Sequence, residues 1–347
     1  MGDASEFSKE RVNTQNLSSD NYVATENMLQ DYQGIIEASS VPTNTNVIKF
    51  NKGDVLLSNI RPYLKKVWFA DKNGGCSADV FVFKALSACI PDFLHYIIAN
   101  DRFINFAMSG AKGVKMPRGD KEQMKTYEIG LPSIEEQKKM AKLLSFLDER
   151  IATQNKIIDK LLSLIKGISS RIFASIQGIE YRMGDIVTIT NGNSNVQDAV
   201  TQSKDGLYPF FDRSEDIKYL PTFLFDKEAI IYPGEGTEFM PRYFKGKFAL
   251  HQRCYAIFDF NEIINARFLY FYLKTRNFYF VKNAVGSTVP SLRLDTFQKL
   301  KVIIPSKKIQ HSVSLCLSSM EQKCNVEKKI LHKLLKQKQY LLRQMFI

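Results

Sequence analysis

The chain has 347 residues, the length of about two typical domains, and 44% of them are hydrophobic and 24% charged. This composition is that of a globular protein and excludes wholesale disorder. Lys and Arg number 48 against 36 Asp and Glu, and the net charge of +12 favours a polyanionic partner, nucleic acid before an anionic membrane surface.

The first 130 residues predict a mixed region of short strands followed by a helix. The β-rich runs are residues 47–50, 54–57, 67–69 and 80–83. Residues 73–75, Asn-Gly-Gly, predict a turn between the last two runs. An aromatic-rich helix is predicted at 93–106, then a polar loop with glycine at 109–120, and then a final strand that leads into Pro132.

A long helix is predicted to follow Pro132. Ser133 suits the N-cap, and Glu136 stands three residues later as its capping-box partner. Apolar residues then recur at 3-4 spacing over about four heptads, as in a coiled-coil seam, and only Gln154 interrupts them. The seam residues are Leu144, Leu147, Ile151, Ile158, Leu161 and Ile165. Some 42 helical residues would extend roughly 63 Å, too far to pack within one small domain.

The second half of the chain repeats this order. Its β-rich runs are residues 229–232, 243–244 and 254–258. Residues 245–247, Lys-Gly-Lys, predict a turn, 268–281 a helix, and 286–293 a loop with glycine before the strand into Pro305. The second long helix has its seam at Leu317, Met320, Leu331, Leu334 and Leu341, with interruptions at Glu327 and Lys338.

The two halves are related by one offset. Pro132-Ser133 with Gln137 and Pro305-Ser306 with Gln310 stand 173 positions apart, and further pairs at the same distance are Gly113 and Gly286, Pro117 and Pro290, Leu147 and Met320, and Phe173 and Phe346. We therefore predict an α+β protein of two mixed α/β domains, each followed by a long helix. Because the second domain is inserted between the helices, these should form an antiparallel coiled coil. The predicted segments are 1–130, 131–178, 179–303 and 304–347.

Known catalytic and targeting motifs are absent. We find no P-loop, no GxGxxG, no GxSxG and no adenine-methyltransferase motif, and read residues 234–237 as a plain loop rather than a phosphate-binding loop. The four histidines and five scattered cysteines lack metal-ligand spacing. No run approaches the roughly 20 apolar residues of a membrane span, and the N-terminus lacks signal-peptide features. We expect a cytoplasmic binding protein without a catalytic site, a metal, a disulfide or a membrane partner.

The duplicated features resemble the DNA specificity subunit of type I restriction-modification systems over essentially the whole chain. The resemblance rests on the two Pro-Ser…Gln helix starts, on Leu144-Ser145-Phe146-Leu147-Asp148 with Ile151, and on residues 181–186, Tyr-Arg-Met-Gly-Asp-Ile. Residues 22–29 and 58–66 are similar to text in the family's recognition domains. The first unit has no counterpart of residues 181–186 at its start.

This resemblance implies a division of labour between subunits. Residues 1–130 and 179–303 would be target recognition domains, each reading one half of a split double-stranded DNA sequence. The helices 131–178 and 304–347 would space the domains and dock two methyltransferase subunits, and a motor-nuclease subunit would join the complex. The chain itself would hold no cofactor, since S-adenosylmethionine, ATP and Mg²⁺ would act on the partner subunits in adenine N6 methylation and cleavage.

Candidate DNA-contacting residues are basic and polar side chains in the turn-rich loops, where Arg, Gln or Asn could reach base edges. They are Arg61, Lys65, Lys66, Lys112, Lys115, Arg118, Arg213, Arg242, His251, Gln252, Arg253, Ser287, Thr288 and Arg293. Each could instead be a solvated surface charge. The equivalent positions of the loops that start at Lys112 and Gly286 favour these two loops over the rest.

Apolar residues outside the seam have two open interpretations, a dock for a methyltransferase or a wider seam. They are Phe146, Ile157, Leu164, Phe173, Leu315, Ile330 and Leu335. For the whole chain, the alternatives are a coiled-coil scaffold without DNA sequence specificity and a nuclease that acts alone.

Overall fold

The computed structural model describes residues 1–346, and the chain divides into two compact units. Unit 1 contains residues 1–154 and the end of the chain from residue 330, and unit 2 contains residues 155–329. Each unit thus combines a globular part with segments of both long helices. The sequence-defined segments 131–178 and 304–347 instead keep each helix whole. No helix within the described part is long and apolar enough to cross a membrane.

Unit 1 contains two four-stranded sheets and three short helices. The strands are β1 Ser5–Phe7, β2 Arg11–Asn13, β3 Tyr22–Val23, β4 Asn46–Phe50, β5 Val55–Ser58, β6 Val67–Phe69, β7 Gly74–Cys76 and β8 Val80–Ala85. The helices are α1 Pro91–Ile98, α2 Asp101–Ser109 and α3 Lys121–Lys125. One sheet has the order β1-β8-β5-β6 and is antiparallel throughout, and the other has the order β2-β4-β7-β3 with a parallel β3–β7 pair.

The predicted turn at 73–75 is wrong, because Gly74 and Gly75 lie in strand β7. Both glycines are buried. A Cβ atom on Gly74 would lie 2.1 Å from the Asn21 carbonyl oxygen, and one on Gly75 would lie within 3 Å of the Val12 and Val47 side chains. The glycines therefore allow close packing within the sheet instead of reversing the chain.

The single helix predicted at 93–106 is two helices, α1 and α2, that meet at Asn100. The Asn100 side chain accepts a hydrogen bond from the Arg102 amide and so caps α2. Its Nδ2 donates to the Leu342 carbonyl at 3.3 Å, which ties the break to the second long helix. The apolar faces of both helices pack on the antiparallel sheet, with Phe93 and Phe103 fully buried.

Unit 2 is built around one six-stranded sheet. Its strands are β9 Ile179–Arg182, β10 Thr188–Asn191, β11 Tyr208–Phe211, β12 Lys218–Leu220, β13 Phe225–Pro233, β14 Arg242–Leu250, β15 Cys254–Phe258 and β16 Lys301–Ile304. Its short helices are α5 Ala266–Lys274, α6 Asn277–Asn283 and α7 Leu294–Gln298. The main sheet has the order β10-β15-β13-β14-β11-β12, and β16 pairs separately with β9.

Two predictions for unit 2 are corrected. Residues 245–247 are not a turn, because Gly246 pairs with Lys227 inside strand β14. Lys245 and Lys247 are both exposed, so the two lysine side chains lie on the solvent side of the strand. The helix predicted at 268–281 is α5 and α6, which are separate because Asn277 begins α6 and its side chain accepts from the Phe239 amide at 2.9 Å.

The long helices are α4 Ile134–Ser175, with 42 residues, and α8 Lys307–Met345, with 39. The predicted capping box is confirmed: the Ser133 hydroxyl accepts from the Glu136 amide, and the Glu136 carboxylate accepts from the Ser133 amide. In unit 1, Leu144 shares a core with Leu342 and Asp148 pairs with Lys338, so the two helices run antiparallel.

Every predicted seam residue is at least half-buried. The buried ones are Leu144, Leu147, Ile158, Leu317 and Leu334, and the half-buried ones are Ile151, Leu161, Ile165, Met320, Leu331 and Leu341.

Phe173 is not a surface residue of the helix. It packs edge-on against Phe268 and Tyr272 in the core of unit 2, with ring centroids 5.5 Å away in both cases.

A buried glutamine joins each long helix to its globular part. Gln137 has no exposed surface, its Oε1 accepts from the Ile90 amide at 3.0 Å, and its Nε2 donates to the Ala88 and Pro132 carbonyls. Gln310 repeats this arrangement in unit 2. Its Oε1 accepts from the Asn265 amide at 2.7 Å, and its Nε2 donates to the Ile263 and Pro305 carbonyls.

Replacing either glutamine by alanine should lower the free energy of unfolding by about 1–3 kcal/mol, since buried backbone groups would lose their partners. Urea titration followed by circular dichroism measures this for Gln137→Ala and Gln310→Ala. Gln322→Ala removes an exposed glutamine from α8 and is the matched control. Losses no larger than that of the control would contradict the role assigned to the glutamines.

Stability below neutral pH should depend on His95. Burial is the main cause that lowers its pKa to about 4, with Lys338 adding to the effect. The ring stacks on Phe69, and Nδ1 has no hydrogen-bond partner among the described residues. Because the folded-state pKa is lower than the unfolded value near 6.5, neutral His95 contributes stability above about pH 6.5 that is lost as the pH falls towards 4.

In His95→Phe we therefore expect a smaller loss of unfolding free energy between pH 7 and pH 4.5 than in the parent chain. Each variant is compared with itself at the two pH values, which removes any effect of altered packing. His332→Phe changes an exposed histidine and should keep the full loss. An equal loss in all three chains would contradict the assignment.

Candidate nucleic-acid interface

Each unit presents one loop that is closed by the same backbone hydrogen bonds. In unit 1, Lys112 and Arg118 exchange two N–H to O=C bonds, both 2.9 Å long. In unit 2, Val285 and Ser291 do the same at 2.9 and 2.8 Å. These residues are 173 positions apart, so the structure places the two loops at equivalent positions, as the repeat predicts. We call residues 112–118 and 285–291 the reading loops.

A left-handed glycine shapes each reading loop. Gly113 has φ 97° and Gly286 has φ 104°, a conformation that disfavours any residue with a Cβ atom. In both loops such a Cβ atom would crowd the carbonyl oxygen three residues later, at 3.3 and 3.0 Å. The loop backbone therefore requires glycine at both positions.

Each reading loop is also held by a neighbouring segment. The Arg61 amide donates to the Pro117 carbonyl at 2.8 Å, and the Gly236 amide donates to the Pro290 carbonyl at 3.0 Å. Residues 234–237 are thus the unit 2 counterpart of the segment around Arg61, which agrees with their interpretation as a plain loop. Gly234 is needed there because a Cβ atom would lie 2.0 Å from the Arg253 carbonyl oxygen.

The basic residues of unit 1 fall into two groups. Arg61 and Lys115 are exposed and form no ion pair with a described residue. Lys112 is exposed but pairs with Asp120 at 2.8 Å. Lys65 and Lys66 are half-buried and bind within the unit. Lys65 pairs with Asp101 at 2.8 Å, and the Lys66 ammonium donates to the Thr25 carbonyl at 2.6 Å.

In unit 2, four of the predicted residues line one cleft of about 320 Å³. The cleft is lined by Val196, Asp212, Arg213, Glu235, His251, Gln252, Arg253 and Cys254. His251 Nδ1 accepts from the Arg253 amide, and burial lowers the His251 pKa, so that the ring is neutral at pH 7. The neutral ring can donate one hydrogen bond, and Gln252 can both donate and accept, which suits the edge of a base.

Arg242 is bound within its unit. It is half-buried, its guanidinium donates to the Ser214 carbonyl, and its Nη1 is buried without a partner among the described residues. Burial alone would raise the pKa of Asp212, but hydrogen bonds from Lys218 and Ser214 outweigh it and the pKa is lowered.

Ser287 and Thr288 are exposed on the reading loop, and Arg293 is exposed where helix α7 begins.

Two acidic residues beside the reading loops were not among the candidates. Asp79 lies 3.2 Å from Arg118, and Glu235 lies 2.7 Å from Arg253. An acidic residue carries no sequence signal for DNA contact, and the position of both beside an arginine follows only from the strand pairing. Residues 1–346 contain no group of His, Cys, Asp and Glu that could hold a metal ion.

The long helices carry apolar side chains outside the seam. Of those named in the sequence analysis, Phe146, Ile157, Leu164, Leu315, Ile330 and Leu335 are exposed. Because these side chains are exposed to solvent in this chain, they do not widen the buried seam. They leave apolar surface available on both helices.

Comparison with known families gives a match over most of the chain. The family model of the type I restriction modification DNA specificity domain matches twice, at residues 6–163 and 179–336. The chain belongs to this family. The two matched stretches are 173 residues apart, and this confirms the internal repeat. The family assignment also confirms the resemblance found in the sequence and the predicted fold class.

Curated relatives are specificity subunits of type I restriction enzymes. The EcoDI specificity subunit of Escherichia coli is 29% identical over 138 residues, which are 40% of this chain and 30% of the relative. The MjaVIII specificity subunit of Methanocaldococcus jannaschii is 32% identical over 153 residues, which are 44% of this chain and 34% of the relative. The matched stretches thus span about a third of these relatives.

Solved structures share the fold. The S subunit of a type I restriction-modification system from M. genitalium has a TM-score of 0.70 at 18% identity, over 100% of this chain and 94% of that one. A chain from a structural study of complex assembly and conformational transition of the type I restriction-modification system has a TM-score of 0.55 at 16% identity, over 96% of both chains.

Proposed function

We propose that the chain is the specificity subunit of a type I restriction-modification complex and that each unit reads one half of a bipartite double-stranded DNA target. The observation that carries this proposal is the pair of equivalent reading loops. Their backbones are the same, but the exposed side chains at the tips differ, with Lys115 in unit 1 where unit 2 has Thr288. The net charge of +12 supports a DNA partner.

The chain acts without catalysing a reaction itself. Methyltransferase subunits dock on the exposed apolar residues of the long helices, such as Phe146 and Leu315, and a motor-nuclease subunit joins the same cytoplasmic complex. S-adenosylmethionine, ATP and Mg²⁺ serve these partner subunits. The solvent exposure of these apolar side chains in the free chain supports this docking, because burying them against a partner is favourable.

We expect the gene to determine one N6-methyladenine motif in the source strain. Long-read methylation mapping with and without the gene should show the loss of a single two-part motif with a fixed gap. Replacing residues 179–303 by the equivalent domain of a relative should change one half of the motif and leave the other half intact. A map that is unchanged by deletion, together with DNA binding that shows no sequence preference, would favour the coiled-coil scaffold.

Phosphate contacts should make DNA binding depend strongly on salt. Lys115→Ala should lower the slope of log K against log salt by about 0.9, because one released counterion is lost, and should weaken binding to all sequences equally. Lys65→Ala is the matched control, since the Lys65 ammonium pairs with Asp101. The slope is obtained from fluorescence anisotropy titrations with labelled duplex DNA. A change confined to one sequence, or an equal change in Lys65→Ala, would contradict the phosphate contact.

A further inference from the structure

Each unit holds an ion pair beside its reading loop, and one position of the pair carries opposite charges in the two units. Strand pairing of Ser58 with Val80 in unit 1 matches that of Pro233 with Cys254 in unit 2. Asp79 directly precedes Val80, and Arg253 directly precedes Cys254. Asp79 and Arg253 therefore occupy corresponding positions in the two units. Backbone bridges then extend the correspondence. Ile60 bridges to Arg118, and Glu235 bridges to Ser291.

Each unit thus places one arginine beside its reading loop, but from a different backbone position. In unit 1 the arginine is Arg118 on the loop, and its acid, Asp79, precedes strand β8. In unit 2 the arginine, Arg253, precedes strand β15, and its acid, Glu235, lies on the neighbouring segment. The Arg118 and Arg253 side chains are 56% and 62% exposed, and their acids only 37% and 17%. The guanidinium groups therefore face solvent with one edge held.

Stability does not explain these pairs, because exposed ion pairs contribute little to it. A phosphate contact is also disfavoured, since Asp79 or Glu235 would repel the phosphate. A base edge carries no net charge, so a nearby carboxylate opposes its binding far less than that of a phosphate. The carboxylate occupies some of the five N–H donors and restricts the side chain, and the remaining donors can bind the O6 and N7 atoms of a guanine.

We infer that Arg118 and Arg253 each read a guanine in the major groove of their half-sites, with Asp79 and Glu235 as positioning residues. This inference rests on the proposed function and adds the residues that determine specificity. Because the arginines start from different backbone positions on the same frame, the two half-sites are read differently although the two loops are equivalent.

The test replaces each arginine by lysine within the full chain, assembled with its methyltransferase subunits. Lysine keeps the charge and hence a phosphate contact, but it lacks the planar fork that binds guanine through two hydrogen bonds. In Arg253→Lys we expect the preference for guanine at one position of one half-site to fall about tenfold or more, with the other half-site unchanged. Arg118→Lys should have the same effect on the other half-site.

The matched control is Arg182→Lys, an exposed arginine at the end of strand β9 in unit 2, which should leave both half-sites unchanged. Glu235→Gln tests positioning while keeping Arg253. The preference for guanine should fall, and binding to unrelated DNA should rise because a negative charge is lost. Methylation rates on duplexes with one substituted base pair provide the readout, and circular dichroism verifies folding.

The outcomes separate this inference from the proposed function. A parent chain that directs methylation to no two-part motif would overturn the proposed function itself. A parent chain with such a motif, whose Arg118→Lys and Arg253→Lys variants keep the full preference for every base, would overturn the inference alone. Weakening that is equal for all sequences would identify phosphate contacts and would also overturn it.

Discussion

A fully buried glutamine one turn into each long helix connects the helix to the globular part of its unit. Both ends of the amide bind backbone groups, and for Gln137 these are the Ile90 amide and the Ala88 and Pro132 carbonyls. If the helix left in another direction, these buried groups would lose their partners at a substantial energetic cost. The direction in which α4 leaves the globular part of unit 1 is therefore set in its first turn. The burial of Leu144 and Leu147 within unit 1 depends on that direction.

Features that depend on residues near in sequence could be predicted from the sequence. The capping box of Ser133 and Glu136, the two long helices and the burial of the seam follow from short spacings. The strands were harder to predict, because the residues next to a glycine are similar whether it lies in a turn or in a crowded strand. Gly75 and Gly246 lie in strands since neighbouring strands pair with them, and the residues next to each glycine do not reveal that pairing. The breaks at Asn100 and Asn277 have the same origin, since both side chains bind distant backbone groups.

The candidate site was predictable in place but not in detail. The repeat located both reading loops, because the left-handed conformation of Gly113 and Gly286 requires glycine in each copy. It could not separate a lysine that is free for a ligand from one that is already paired. Lys65 and Lys115 look alike in sequence, yet one is bound to Asp101, whose position beside it follows from tertiary packing. The acidic neighbours of the arginines were missed for the same reason.

A duplication within one chain permits an arrangement that a dimer of identical subunits does not permit. Two identical subunits must present identical residues and so read identical half-sites. Here the frame of each reading loop consists of backbone hydrogen bonds and glycine, which do not depend on the other side chains. Asp79 and Arg253 can therefore occupy the same position with opposite charges while the backbone around them stays the same. A frame made of backbone contacts leaves the exposed side chains free to diverge, and this allows one fold to carry two different reading surfaces.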